Sequence, residues 1–74
     1  MNKERRKRIL DAISAISKIE SLVQNILDDE QDAYDNMLDG AKSSENGITS
    51  ENAQENLDAA IEALEDAISY LEEI

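Results

Sequence analysis

Leu57-Asp58-Ala59-Ala60-Ile61-Glu62-Ala63-Leu64-Glu65-Asp66-Ala67-Ile68-Ser69-Tyr70-Leu71-Glu72-Glu73-Ile74 carries a near-perfect seven-residue repeat. Leu recurs at 57, 64 and 71. Ala recurs at 53, 60 and 67, with Ile61 and Ile68 beside it. Apolar steps of three and four held over this length mark a helix that packs by coiled-coil rules. Ala at a recurring seam position lets two backbones approach closely, which favours a tight antiparallel neighbour.

Working back from that stretch, residues 40–50 read as the only loop. Gly40 is a plausible helix stop, and Asn46-Gly47 is a turn dipeptide. Thr49 or Ser50 then caps a helix over about 50–73, with Glu51 in its first turn and Ile48 stapled onto Ala53. Upstream, Ile9, Ala12/Ile13, Ile16, Ile19, Val23, Ile26/Leu27, Ala33/Tyr34 and Met37/Leu38 step by threes and fours. That pattern predicts a first helix over about 3–38. The polar run Asp28-Asp29-Glu30-Gln31-Asp32 skips a turn of the stripe, so a break near 28–33 is one reading and a continuous helix the other. The expected seam joins Ile9, Ile16, Ile19, Val23 and Ile26 to Leu57, Ala60, Leu64, Ala67 and Leu71.

Ile, Leu and Val supply 17 of the 74 residues, 23%, with no Phe and no Trp. That lies just above the roughly 20% line below which charged chains tend to stay disordered. A chain this short buries only about 60% of its unfolded surface, so one helix pair alone is marginal. Self-association is the natural remedy. The fold expected is all-α: an antiparallel two-helix, coiled-coil-like hairpin in a single domain, with Ala33–Leu38 as an optional third segment. Two such chains would form a homodimeric four-helix bundle.

Eighteen acids against seven bases leave a net charge of -11, and there is no His, Cys or Pro. A structural zinc site, a thiol nucleophile, a disulfide frame and an imidazole base are therefore excluded. The charge is divided unevenly. Residues 1–18 hold six bases and two acids, +4; residues 19–74 hold one base and sixteen acids, -15. Bases crowd the start of the first helix and Glu72 and Glu73 the end of the second, each wrong for its own helix dipole. An antiparallel pair lets them offset one another. A helix running unbroken to Leu38 gives facing residues whose numbers add to 89, whereas a bend near 30–33 brings that number to about 82.

Several constellations bear on chemistry. Asp35-Asn36-Met37-Leu38-Asp39-Gly40 opens like a calcium loop, but Met37 stands where an oxygen ligand is needed and Asn46 replaces the closing Glu. Neither a metal site nor a cofactor is expected, and no nucleophile or phosphate cradle suggests an enzyme. Arg5, Arg6 and Arg8, with Lys3 and Lys7, form a basic arm that could touch anions. Direct nucleic-acid binding is disfavoured by the overall charge and by the lack of an interleaved stacking aromatic. Asp28, Asp29, Glu30, Asp32, Asp35 and Asp39 place six acids in twelve residues, and with Glu62, Glu65 and Asp66 they read as an acidic face for a partner. The alternative is a solvated face that only keeps the protein soluble. Tyr34 is a possible interface anchor, and structural use is favoured for Tyr70. No apolar run approaches the roughly 18 residues of a membrane span, so no membrane partner and a cytoplasmic location are expected.

The opening Asn2-Lys3-Glu4-Arg5-Arg6-Lys7, the central Asp28–Asn36 run and the closing Ala60–Glu73 segment together resemble a group of small acidic helical proteins of unassigned function in phages and prophages of Gram-positive bacteria. The resemblance covers most of the chain and carries over no catalytic residue. It implies a phage-type accessory or inhibitor protein in a bacterial host cell. The expected function is a non-enzymatic module whose acidic face engages a basic, nucleic-acid-binding protein surface, such as that of a host defence or nucleic-acid enzyme. A structural homo-oligomer is the alternative. Anion or nucleic-acid contact through the basic arm is a third.

Overall fold

Residues 3–35 contain neither Gly nor Pro, and nothing in them interrupts a helix. In the computed structural model, which describes Met1–Ile74, they form one uninterrupted element, α1 (Lys3–Asp35). Asn2 caps it: its Oδ1 accepts a 2.9 Å hydrogen bond from the Arg5 backbone N–H. A four-residue turn, α2 (Asp39–Lys42), and a second long helix, α3 (Glu45–Glu72), complete an all-helical chain. At 1.5 Å per residue, α1 is about 50 Å long and α3 about 42 Å. They lie along each other in a rod of 58 × 15 × 12 Å.

The helix continues through 28–33 because the stripe facing α3 does not lapse there. Ile9, Ile13, Ile16, Glu20, Val23, Leu27, Glu30, Tyr34 and Met37 are all buried or half-buried, and their spacing alternates strictly between four and three. Glu30 occupies one of these positions with its aliphatic stem, which fits a long charged side chain at a helix interface. Gln24 Nε2 also donates to Asp28 Oδ1 at 3.0 Å, tying the acidic turn to the one before it. On α3 the matching set is Gly47, Ser50, Gln54, Leu57, Ile61, Leu64, Ile68 and Leu71.

This corrects the expected seam. Ile9, Ile16, Val23, Leu57, Leu64, Ala67 and Leu71 are half-buried, but Ile19, Ile26 and Ala60 are exposed. The two buried hydrophobic residues are their neighbours Leu27 and Ile61, 3% and 7% exposed. Each helix carries two apolar rows one residue apart, both with three-and-four spacing. The row that reaches Tyr34 and Met37 without a slip is the one that packs.

The connection also departs from expectation. α1 ends at Asp35, where the Asn36 N–H bonds the Asp32 carbonyl at 3.1 Å, and Leu38 takes an extended conformation. Gly40 lies inside α2 rather than stopping a helix. The N-cap of α3 is Ser44, so Asn46-Gly47 and Thr49-Ser50 fall in its first turns and neither Thr49 nor Ser50 is a cap. Gly47 is needed for proximity rather than for turn flexibility. It is buried, and a Cβ built on it would overlap the Lys42 backbone carbonyl. Ser50, 2% exposed, continues this small-residue end of the interface.

Facing residues accordingly follow a single register. The numbers of Tyr34 and Glu51, which are hydrogen-bonded, add to 85, and so do those of Glu20 and Glu65. The value lies between the two registers considered from sequence, because the link is wound into a helical turn and helix 1 does not bend. In this register Leu71 lies level with Ser14, and residues 3–10 project beyond α3.

The two glycines should respond oppositely to Ala. Gly47→Ala should destabilise by about 1–3 kcal/mol through overpacking against Lys42. Gly40, whose Cβ would meet nothing within 4 Å, should tolerate Ala or gain about 0.4–1 kcal/mol. Urea unfolding followed by circular dichroism measures both.

Candidate functional site

From Ser50 onward, one position after each α3 seam residue comes Glu51, Glu55, Asp58, Glu62, Glu65 and Glu72, a row of exposed carboxylates broken only by Ser69. The three-and-four spacing that builds the seam builds this row too, rotated about 100° around the helix. The α1 positions beside it are mainly Ser14, Ser17, Ser21, Gln24 and Gln31, which are exposed and uncharged. The row therefore stands as a ridge of negative charge against a neutral polar strip. Six charges span 21 helical steps, about 32 Å, a mean spacing of about 6 Å. A single nucleic-acid strand carries one per about 3.4 Å and a duplex one per about 1.7 Å.

The acids expected to form the face are only partly brought together. Glu62 and Glu65 lie in the row, and Asp66 beside it. Asp28 and Asp35 follow seam positions on α1 and point to the same side. Asp29 precedes a seam position and turns to the opposite side, Asp32 faces away from α3, Glu30 is half-buried in the interface, and Asp39 belongs to α2. Six acids in twelve residues are dense in sequence but wrap around a helix. Glu51, Glu55 and Asp58 are sparser, yet they share one side. Their three-and-four spacing is legible in the sequence, although the run is less dense than 28–39.

Two polar contacts join the helices at the edge of this face. The Tyr34 hydroxyl donates to Glu51 Oε1 at 2.6 Å, and Lys42 Nζ lies 5.4 Å from the Tyr34 ring centroid. The hydrogen bond to Glu51, then desolvation, then the charges of Glu51 and Asp35 raise the phenol above its ordinary pKa of 10.0. Tyr34 is thus engaged within the chain, whereas Tyr70, expected to be the more structural of the two, is 73% exposed. Further along, Glu20 meets Glu65. A hydrogen bond between the two carboxyls, then desolvation, then their mutual repulsion raise Glu20 above its ordinary 4.5.

The basic arm is split by the helix surface. Arg5 and Arg8 line a groove of about 370 Å³ with Ile9, Ala12 and Leu71. Arg6 lines a second groove with Leu10, Ile13, Leu71, Glu72 and Ile74, where the base-rich start of α1 meets the acidic end of α3. Asp35 and Asp39 fall on different elements, and no group of three or more acids is placed to hold a metal ion. No helix is long and apolar enough to cross a membrane. No family model matches the chain, and comparison with curated proteins and with solved structures yields no match.

The Glu20–Glu65 pair has a testable sign. An acid whose pKa is raised on folding holds its proton more tightly in the native state. The protein should therefore gain stability as pH falls from neutral towards 4.5. Glu20→Gln should raise the melting temperature at pH 7 and flatten that part of the pH dependence. An unchanged slope in thermal melts at pH 7, 6 and 5 would show that the carboxyls do not share a proton.

Proposed function

We propose that this chain is a non-enzymatic protein-binding module whose acidic face engages a basic surface, of the kind that proteins use to hold nucleic acid. In this reading the helix pair is an antiparallel coiled-coil hairpin that works as a homodimer, a four-helix bundle in a bacterial cytoplasm. It serves as a phage-type accessory or inhibitor protein, with no cofactor and no membrane partner. The observation that carries the proposal is the α3 row of six carboxylates from Glu51 to Glu72, interrupted once, at Ser69. It holds exposed charge at fixed spacing on a preformed helix, so little ordering entropy is lost on binding. Its charge density is below that of a duplex and about half that of one strand. The row therefore imitates a phosphate backbone in sign and linearity and falls short of it in density. Asp28 and Asp35 add charge on the same side. Long-range attraction would speed encounter with a basic groove.

The rival reading is a structural homo-oligomer in which the acids only solubilise. It is favoured by large apolar side chains left outside the interface, such as Leu22, 61% exposed. Contact through Arg5, Arg6 and Arg8 is weaker, since these bases diverge around the helix.

The two main readings separate on one measurement. The tagged chain is used to capture proteins from bacterial lysate at low salt and at about 1 M, where the Debye length falls to about 3 Å. The proposal expects a basic protein that is lost at high salt. It also expects at least about tenfold weaker binding by a variant with Glu55, Asp58, Glu62 and Glu65 changed to Gln or Asn. Capture unaffected by salt and by neutralisation sinks it. The assembly reading instead expects Leu64→Asp to dissolve the oligomer while the neutralised variant associates normally.

A further inference from the structure

The side of the rod opposite the acidic row is apolar. One position before each seam residue, α1 presents Ala12, Ala15, Ile19, Leu22 and Ile26, and α3 presents Ala60, Ala63, Ala67 and Tyr70. The helices run in opposite directions, so a backward step rotates both rows to the same side of the pair. Ile19, Leu22, Ile26 and Tyr70 are 48%, 61%, 54% and 73% exposed. Only Leu27 and Ile61 are buried hydrophobics in the isolated chain. The α1 patch centres near residue 19 and the α3 patch near 65, and in the observed register these lie at almost the same level.

We infer that this face closes on a second copy of the chain, α1 on α1 and α3 on α3, about a two-fold axis that crosses the rod near Ile19 and Ala67. The face is self-complementary about that axis in size and in charge, as an isologous interface requires. Facing positions on α1 then add to 37 or 38. Leu22 seats on the partner's Ala15, Ile26 on the partner's Ala12, and Ile19 meets its own counterpart. On α3 the same axis sets Tyr70 on the partner's Ala63. At the rim, Arg8 meets the partner's Asp29, the one acid of the 28–39 cluster that turns to this side. Away from the axis, where Ile19 meets Ile19, large residues fall on small ones, and at the rim a base falls on an acid.

The other face-to-face arrangement has its axis along the rod. It would place both Arg5–Arg8 segments at one end, with like charges together, and would leave Asp29 without a cation. The area is of the right order. From Arg8 to Asp29 is about 32 Å of helix, and the rod is 15 Å wide. Two such footprints approach the roughly 1,000 Å² at which specific interfaces begin. The acidic rows of the two copies then point outward on opposite sides. The inference rests on the homodimer of the preceding section and not on its acidic-face partner.

The test uses the full chain, which has no native Cys. Ile19→Cys should cross-link to a covalent dimer on oxidation, since only a residue near the axis meets itself within disulfide reach. Gln24→Cys, on the opposite side, should not. Arg8→Glu and Asp29→Arg should each weaken the dimer roughly tenfold in sedimentation equilibrium, and the two together should restore it. A dimer in which Ile19→Cys fails to link, or which Arg8→Glu tightens, overturns this face while leaving the homodimer standing. A helical monomer at roughly 100 μM overturns both. Neither result bears on capture of a basic protein, which the α3 neutralisation variant reads separately.

Discussion

Contact between the first turn of α3 and the Lys42 carbonyl sets the geometry of the chain. It is possible only because residue 47 has no side chain. With Gly47 against that carbonyl, α3 starts at Glu45, close beside the end of α1, and the register of the whole pair follows. Glu20 then meets Glu65, Tyr34 meets Glu51, and α3 ends level with Ile13. A side chain at 47 would push the helices apart where Ser50 and Tyr34 continue the interface.

That register also sorts the surface. Each helix repeats with a period near 3.5, so positions before the seam, on it and after it form three parallel rows. On α3 these are mostly alanine, mostly leucine and isoleucine, and mostly glutamate and aspartate. On α1 they are alanine with isoleucine and leucine, a mixed packing row, and serine with glutamine. Because the helices run oppositely, like rows meet on each side of the rod. An acidic-polar side and an apolar side result, the acidic row running from Glu51 to Glu72 and the apolar patch centred near Ile19 and Ala67. Charge repulsion and the need to bury apolar area thus act on different surfaces. A chain of net charge -11 can in this way hold an apolar face and still keep its acids in water.

The Glu20–Glu65 contact goes against stability at neutral pH. Two carboxyls share an interface edge where an apolar pair would fit. The rest of the seam, from Ile9 to Met37, offsets the cost, because the strict alternation of four and three leaves position 20 no other place to point. Glu30 is accommodated in the same way, through its stem. The pair marks a position where the sequence does not maximise the stability of the isolated chain.

By itself the sequence determined that the chain is helical and where the two long helices lie, since apolar spacing and the lack of Pro are local properties that any packing must respect. The concentration of acids was legible too. Which of two adjacent rows packs was not, because Ile19 and Glu20, or Ala60 and Ile61, satisfy the same spacing and differ by one rotation of about 100°. The link is ambiguous in sequence for a similar reason. Asn46-Gly47 is a turn signal locally, but the carbonyl that makes Gly47 necessary belongs to Lys42, five residues back, where the end of α2 meets the first turn of α3. Tertiary packing decided the register, and the register decided which carboxylates share a face. Side-chain neighbours across two helices depend on a single offset that no one helix encodes.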